Sequence, residues 1–245
     1  MTEASTAPSG ADLQNQRWGL PDAAVGWLVV LVIGQVTAAL VLLASGHLGD
    51  DFEDLPLEIV ALVQVGLAFG FFIVPFWVTH RKGSGLIADL GFHARWSDAW
   101  RGGVLGAVLQ FPVLTILYWP ILRLLDKTAS DLEGPARSLG DRADGVSGAI
   151  LLVVIVGVLA PIFEELFYRG LLQRALLKRG LPPVLAVGIT ALIFGLSHFQ
   201  LLQLPALVLA GAVFGWLAHH FGRLGPAIAA HVAFNMVTVA ALLAS

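Results

Sequence analysis

Cysteine is absent from the chain, which excludes disulfide bonds and thiol catalysis from the start. Charge is scarce as well: Asp, Glu, Lys and Arg make up 13% of the residues, about half the ~25% expected of a soluble domain. The net charge of −3 argues against a nucleic-acid surface, and no nucleic-acid partner is expected. No internal repeat is present, and the loops are too short to hold a soluble catalytic module. Any chemistry must therefore sit in the apolar part of the chain.

That part is large. Apolar residues are 57% of the sequence and the mean hydropathy is +0.83. Six long runs carry almost no charge: Ala23–Ala44, Ile59–Thr79, Gly102–Leu122, Val146–Phe163, Gly180–Gly222 and Leu224–Ser245. About 20 such residues, wound as a helix, match the ~30 Å hydrocarbon core of a bilayer. The fifth run is too long for one crossing and reads as two helices that turn at Gln200–Pro205, which gives about seven membrane helices. The runs are apolar all round rather than alternating, so a membrane barrel is not expected, and backbone satisfaction in lipid demands helices. The expected fold is an all-α polytopic transmembrane helix bundle. Residues 1–20 read as a disordered tail, 21–145 as three membrane helices with their loops, and 146–245 as the remaining four helices. Arg17 is the only basic residue before Ala23–Ala44, so this stretch reads as a first membrane helix rather than a signal peptide. Loop charges alternate. Ser45–Glu58 holds five acids and no base, whereas Arg81, Lys82, Lys178, Arg179 and Arg223 lie on the other side. By the positive-inside rule the N-terminus is expected to be cytoplasmic and the C-terminus outside.

Polar side chains at membrane depth cost several kcal/mol unless they have a partner or a purpose. Glu164 and Glu165 are adjacent and cannot face the same way, because successive helical residues turn by about 100°. Glu165 and Arg169 are spaced i,i+4 and suit an ion pair. Glu164 has no such partner in the local sequence. Pro161 removes the backbone bond to Gly157 and predicts a kink just before the carboxylates. The plainer interpretation of this segment is an interfacial ion-pair cluster. His198 gains weight from its position. The turn Lys178–Pro183 is centred on residue 181, with Glu164 17 residues before it and His198 17 after. Equal rise then brings the two to one depth on antiparallel helices, provided the fourth helix runs on to about Leu177. His231 and Asn235 share a helix face at i,i+4. For His231 to reach the same layer, only about seven residues after the Gly222–Pro226 turn, that turn must be sunk into the bundle or the helices must tilt strongly. Interhelical hydrogen bonding explains either residue singly. Together, one acid, two imidazoles and an amide are what water-mediated acyl hydrolysis needs: a base for water, and donors for the oxyanion. The remaining histidines, His47, His80, His93, His219 and His220, read as interfacial. No metal is expected, since the i,i+4 partner of His231 is Asn and no His-Glu-x-x-His helix is present.

Glu164-Glu165-x-x-x-Arg169, Phe194-x-x-x-His198 and His231-x-x-x-Asn235 resemble the three signature motifs of the CAAX-protease and bacteriocin-processing (CPBP, or Abi) family, over about residues 146–245. The resemblance implies an intramembrane glutamate endopeptidase without cofactor, acting on a membrane-associated peptide or protein. It implies that Glu164 and His198 handle the water and that His231 and Asn235 stabilise the oxyanion, with Glu165, Arg169 and Phe194 in support. A multi-pass protein of a bacterial plasma membrane is the expected setting. A non-catalytic immunity or interaction protein on the same scaffold is the alternative. A proton-coupled transporter would explain buried Glu and His, but it would normally show internal repeats and interrupted helices.

Overall fold

The computed structural model describes residues 17–244, so the expected tail over 1–20 lies outside the described residues except for its last four. Long apolar runs with no water to satisfy their backbone must pair it internally. Among the described residues the regular elements are all helices. We label them α1 (Leu20–Ser45), α2 (Leu57–Lys82), α3 (Trp96–Leu124), α4 (Ala129–Gly140), α5 (Gly145–Lys178), α6 (Pro183–Leu196), α7 (Leu204–Phe221) and α8 (Gly225–Leu243). Six of them, all but α4 and α6, are long and apolar enough to cross a bilayer. With 14 residues, α6 is the short seventh traverse of a polytopic bundle.

Two helices outrun their apolar stretches. α3 begins at Trp96 rather than at Gly102, because the Asp98 carboxylate accepts from the Arg95 N–H at 2.9 Å and stabilises an earlier start. α5 runs on through Glu164, Arg169, Gln173 and Arg174 to Lys178, as the depth arithmetic required. Of its polar residues there, Glu165, Arg169, Gln173 and Arg174 are buried in protein rather than exposed to lipid. The third loop is not wholly irregular: it contains α4, started by reciprocal Thr128 and Asp131 bonds at 2.8 and 3.4 Å. The kink expected at Pro161 takes the form of π-wound turns over Leu152–Leu159, followed by a second π-wound stretch over Leu166–Gln173. A wider turn lets a helix carry a proline ring without clashing into the preceding carbonyl.

The core is aromatic. Phe71, Phe167, Tyr168 and Phe194 are buried and meet edge to face or tilted, as their quadrupoles prefer, and buried Phe214 meets Phe234 edge to face. α3 lies against α8 through Gly102 and Gly106, where a Cβ would collide with the α8 backbone at Pro226 and Ala230. Close backbone approach at small residues is the usual way membrane helices gain packing without a hydrophobic drive. The start of α3 is tied to the α7–α8 turn by Arg223, whose Nε and Nη2 donate to Asp98 at 3.0 and 2.7 Å.

The α7–α8 turn is sunk into the bundle. Leu224 N–H donates to the Gly91 carbonyl and Gly225 N–H to that of His93, while Arg174 of α5 donates to the Gly222 carbonyl at 2.8 Å. From Arg174 back to Glu165, and from Gly222 on to His231, is nine residues in each case. Running in opposite directions from that contact, the two helices bring Glu165 and His231 together, 2.9 Å apart.

The helix ends sort the loop charges. One face gathers the start of α1 and the ends of α2, α5 and α7, with Arg17, Arg81, Lys82, Lys178, Arg179 and Arg223; the opposite face holds the acidic Asp50–Glu58 loop. The chain contains no native cysteine, so labelling tests this order cleanly. Single cysteines replacing Ser84 and Ala244 are expected to react with an impermeant thiol reagent from opposite sides of sealed vesicles. Labelling from one side would refute seven traverses.

Candidate active site

α5, α6, α7 and α8 each supply part of the polar cluster. Its centre is Glu165, which is fully buried. Arg169 Nη1 donates to Glu165 Oε1 at 2.7 Å, which is the i,i+4 pair expected from the sequence. The same oxygen lies 2.9 Å from His231 Nδ1 on α8. A carboxylate oxygen accepts, so Nδ1 carries the proton and Nε2 is turned toward Glu164, whose Oε2 is 3.8 Å away. The two adjacent glutamates are thus brought to the two edges of one imidazole. Glu164, with 19% of its side chain exposed, has an access that Glu165 lacks.

The His231 ring is held by aromatics. It stacks on Phe214 at 4.7 Å between centroids and meets Phe194 edge-on at 5.6 Å. The Arg169 guanidinium lies 4.5 Å from the Phe194 ring centroid and donates through Nη2 to the Gly211 carbonyl at 3.0 Å. Gln173, one turn further along α5, donates to the Gly215 carbonyl at 2.9 Å. At both positions a Cβ would press on these side chains, so glycine is what leaves the α7 carbonyls reachable.

His198 sits just past the end of α6. Its Nδ1 donates to the Phe194 carbonyl at 2.8 Å, and its ring stands edge-on to Phe194 at 4.7 Å. Nε2 is left facing away from that bond. Ser197 Oγ donates to the same carbonyl at 2.8 Å and receives the Tyr168 hydroxyl proton at 2.8 Å, which docks the end of α6 against α5. Asn235, one turn beyond His231, donates Nδ2 to the Val156 carbonyl at 2.9 Å, in the first π-wound stretch of α5. One amide N–H remains for another acceptor.

The expected residues therefore gather, with one rearrangement. Glu164 was expected to face His198. Among the described residues no hydrogen bond or ion pair joins them, and the imidazole nearest to Glu164 is His231. The reason is Phe194, whose ring contacts both imidazoles and whose carbonyl anchors His198 at the end of α6. Nor is Glu165 engaged with Arg169 alone, because it also orients His231. The sequence offered no signal for that link, which spans 66 residues, nor for Tyr168, Ser197 and Phe214. The Gly211-x-x-x-Gly215 spacing, a known pattern of close helix contact, could have pointed to the α7 side of the cluster.

A multi-pass helical bundle with a carboxylate–guanidinium–imidazole cluster closed inside four helices defines a membrane protein built around a buried polar site. Residues 146–237 match the model of the family described as type II CAAX prenyl endopeptidase Rce1-like, in agreement with the resemblance carried by the three motifs. The match runs from the start of α5 well into α8 and includes every candidate site residue. No curated protein and no solved structure matches the chain.

Removing one member of a buried ion pair strands the other, at a cost of ~3–5 kcal/mol. Glu165→Ala is therefore expected to lower the melting temperature in detergent sharply. The double variant Glu165→Ala/Arg169→Met, which removes both charges, should recover part of the loss. Equal melting temperatures for wild type and Glu165→Ala would show that the pair does not hold the helices.

Proposed function

We propose that this protein is an intramembrane endopeptidase that hydrolyses a peptide bond of a membrane-associated peptide or protein with a water activated by Glu164. The observation that carries the proposal is the placement of both glutamates about His231: Glu165 fixes the ring through Nδ1, and Nε2 is presented 3.8 Å from the more accessible Glu164.

In this scheme Glu164 takes a proton from water, with His198 Nε2 as the second acceptor that orients it. The hydroxide adds to the scissile carbonyl carbon. The negative charge that develops on oxygen is met by the remaining Asn235 N–H and by His231 Nε2–H. For His231 to donate from Nε2 while Nδ1 donates to Glu165, the ring must carry both protons; Glu165 is already balanced by Arg169, so the compensating charge is that of Glu164 at first and of the oxyanion once Glu164 has taken the proton. Collapse of the tetrahedral intermediate breaks the C–N bond, and Glu164 returns its proton to the departing amine. Donors fixed in advance in a water-poor site are worth more than they would be in water, which is the advantage of tying His231 down so firmly. The basic helix-end face is assigned to the cytoplasm of a bacterial plasma membrane.

Glu164→Gln keeps the shape and removes the base. It is expected to melt near the wild-type temperature and to lose ~100- to 10,000-fold in single-turnover cleavage of a peptide panel. Should it cleave like wild type, the cluster is structural, and the non-catalytic interaction protein takes the place of the peptidase. Base and oxyanion donors all come from side chains in this scheme. A zinc chelator is therefore expected to leave turnover unchanged, and loss of activity restored by stoichiometric zinc would make the enzyme a metalloprotease.

A further inference from the structure

The basic face carries a cleft that the peptidase scheme does not use. It measures about 250 Å³ and lies between the start of α1 and the end of α5, lined among others by Arg17, Trp18, Asp22, Lys178 and Arg179. Its cations outnumber its one acid, and that acid is already committed: Asp22 pairs with Lys82 from the end of α2 and accepts the Gly19 N–H at 2.9 Å. Lys178 is committed as well. It donates to the Trp18 carbonyl and lies 4.4 Å from the Trp18 ring centroid, so that it braces the buried indole as one wall of the cleft. Arg17 is pinned by its backbone N–H to the Lys82 carbonyl at 3.1 Å, while its side chain and that of Arg179 are exposed. Three helices that cross the bilayer have their ends here, which sets the cleft at headgroup level.

We propose that this cleft binds a phosphate-bearing anion, and that the anion is the headgroup of an anionic phospholipid. Two guanidinium groups on opposite walls suit the oxygens of a phosphate, each through a forked pair of N–H donors. A basic pocket between membrane helices at the headgroup level is where an anionic lipid meets both charge and shape. Bound there, the lipid joins α1 to α5 on the face opposite the recessed end of α6.

The test uses the delipidated full-length protein in neutral detergent, titrated with phosphatidylglycerol or phosphatidylcholine and followed by native mass spectrometry. One phosphatidylglycerol is expected to be retained in preference to phosphatidylcholine. The double variant Arg17→Gln/Arg179→Gln should weaken that binding by roughly 10- to 100-fold, as two charge-assisted hydrogen bonds are lost. Arg81→Gln, on the same face but outside the cleft, should leave it unchanged. Millimolar inorganic phosphate should displace the lipid. Phosphate binding that depends on Arg17 and Arg179, without lipid retention, would assign the same chemistry to a soluble phosphate and overturn the lipid as its source. If the glutamine pair lowers the melting temperature of the lipid-free protein, Arg179→Gln alone carries the comparison. Equal lipid retention by wild type and the cleft variants, or an equal loss in Arg81→Gln, would mean annular or general charge binding only and would overturn the proposal.

Discussion

One guanidinium holds the C-terminal half of this molecule, α5 to α8, together. Arg169 cannot be deprotonated readily, cannot reach water from the centre of a bundle, and must therefore find acceptors in protein. It takes a carboxylate from its own helix, a carbonyl from α7 and the faces of aromatic rings from α6 and α7. Together these contacts fix α6 and α7 against α5. The carboxylate it neutralises is the one that orients His231 of α8, so the four helices meet around a single buried charge pair. A charge in lipid is a liability that confines structure: few arrangements satisfy it, and those few share the same close packing.

The sequence was legible where local periodicity or the cost of burial decides the outcome. Uninterrupted apolar runs gave the traverses, and the i,i+4 spacing of Glu165 and Arg169 gave their pair. The continuation of α5 past Arg169 followed from requiring Glu164 and His198 to share a level. What local spacing could not supply was azimuth. Depth along a helix can be counted from a turn, but which residue faces which neighbour depends on tilt, on π-wound stretches and on the bulk between helices. Phe194 settles that question here. Its ring touches both imidazoles, a geometry that no count of residues contains.

The second difficulty was the α7–α8 turn. Turns are normally placed at the membrane surface, and on that assumption His231 lies too shallow to join the cluster. The turn lies deeper because its backbone groups are satisfied by protein: by the carbonyls of Gly91 and His93 and by the Arg174 side chain, while Arg223 ties it to Asp98. Residues 86–93 lie outside the segment that matches the peptidase family, yet they set the depth of a residue inside it. The N-terminal helices and loops are in this sense part of the site's geometry.

The unequal lengths of the helices have a further consequence. α1 and α2, with 26 residues each, reach about 39 Å, whereas α6, with 14, reaches about 21 Å from the same face. The helices that start or end at this face therefore reach unequally far from it. The irregular backbone of residues 197–203 ends well short of the level that its neighbours attain, where lipid cannot satisfy it. Its cover is supplied by protein: Tyr118 donates to the Leu202 carbonyl and Gln203 donates to the Leu132 carbonyl of α4. These bonds hold the segment that carries His198 against α3 and α4, so its contact with the rest of the bundle reaches beyond the four helices of the polar cluster.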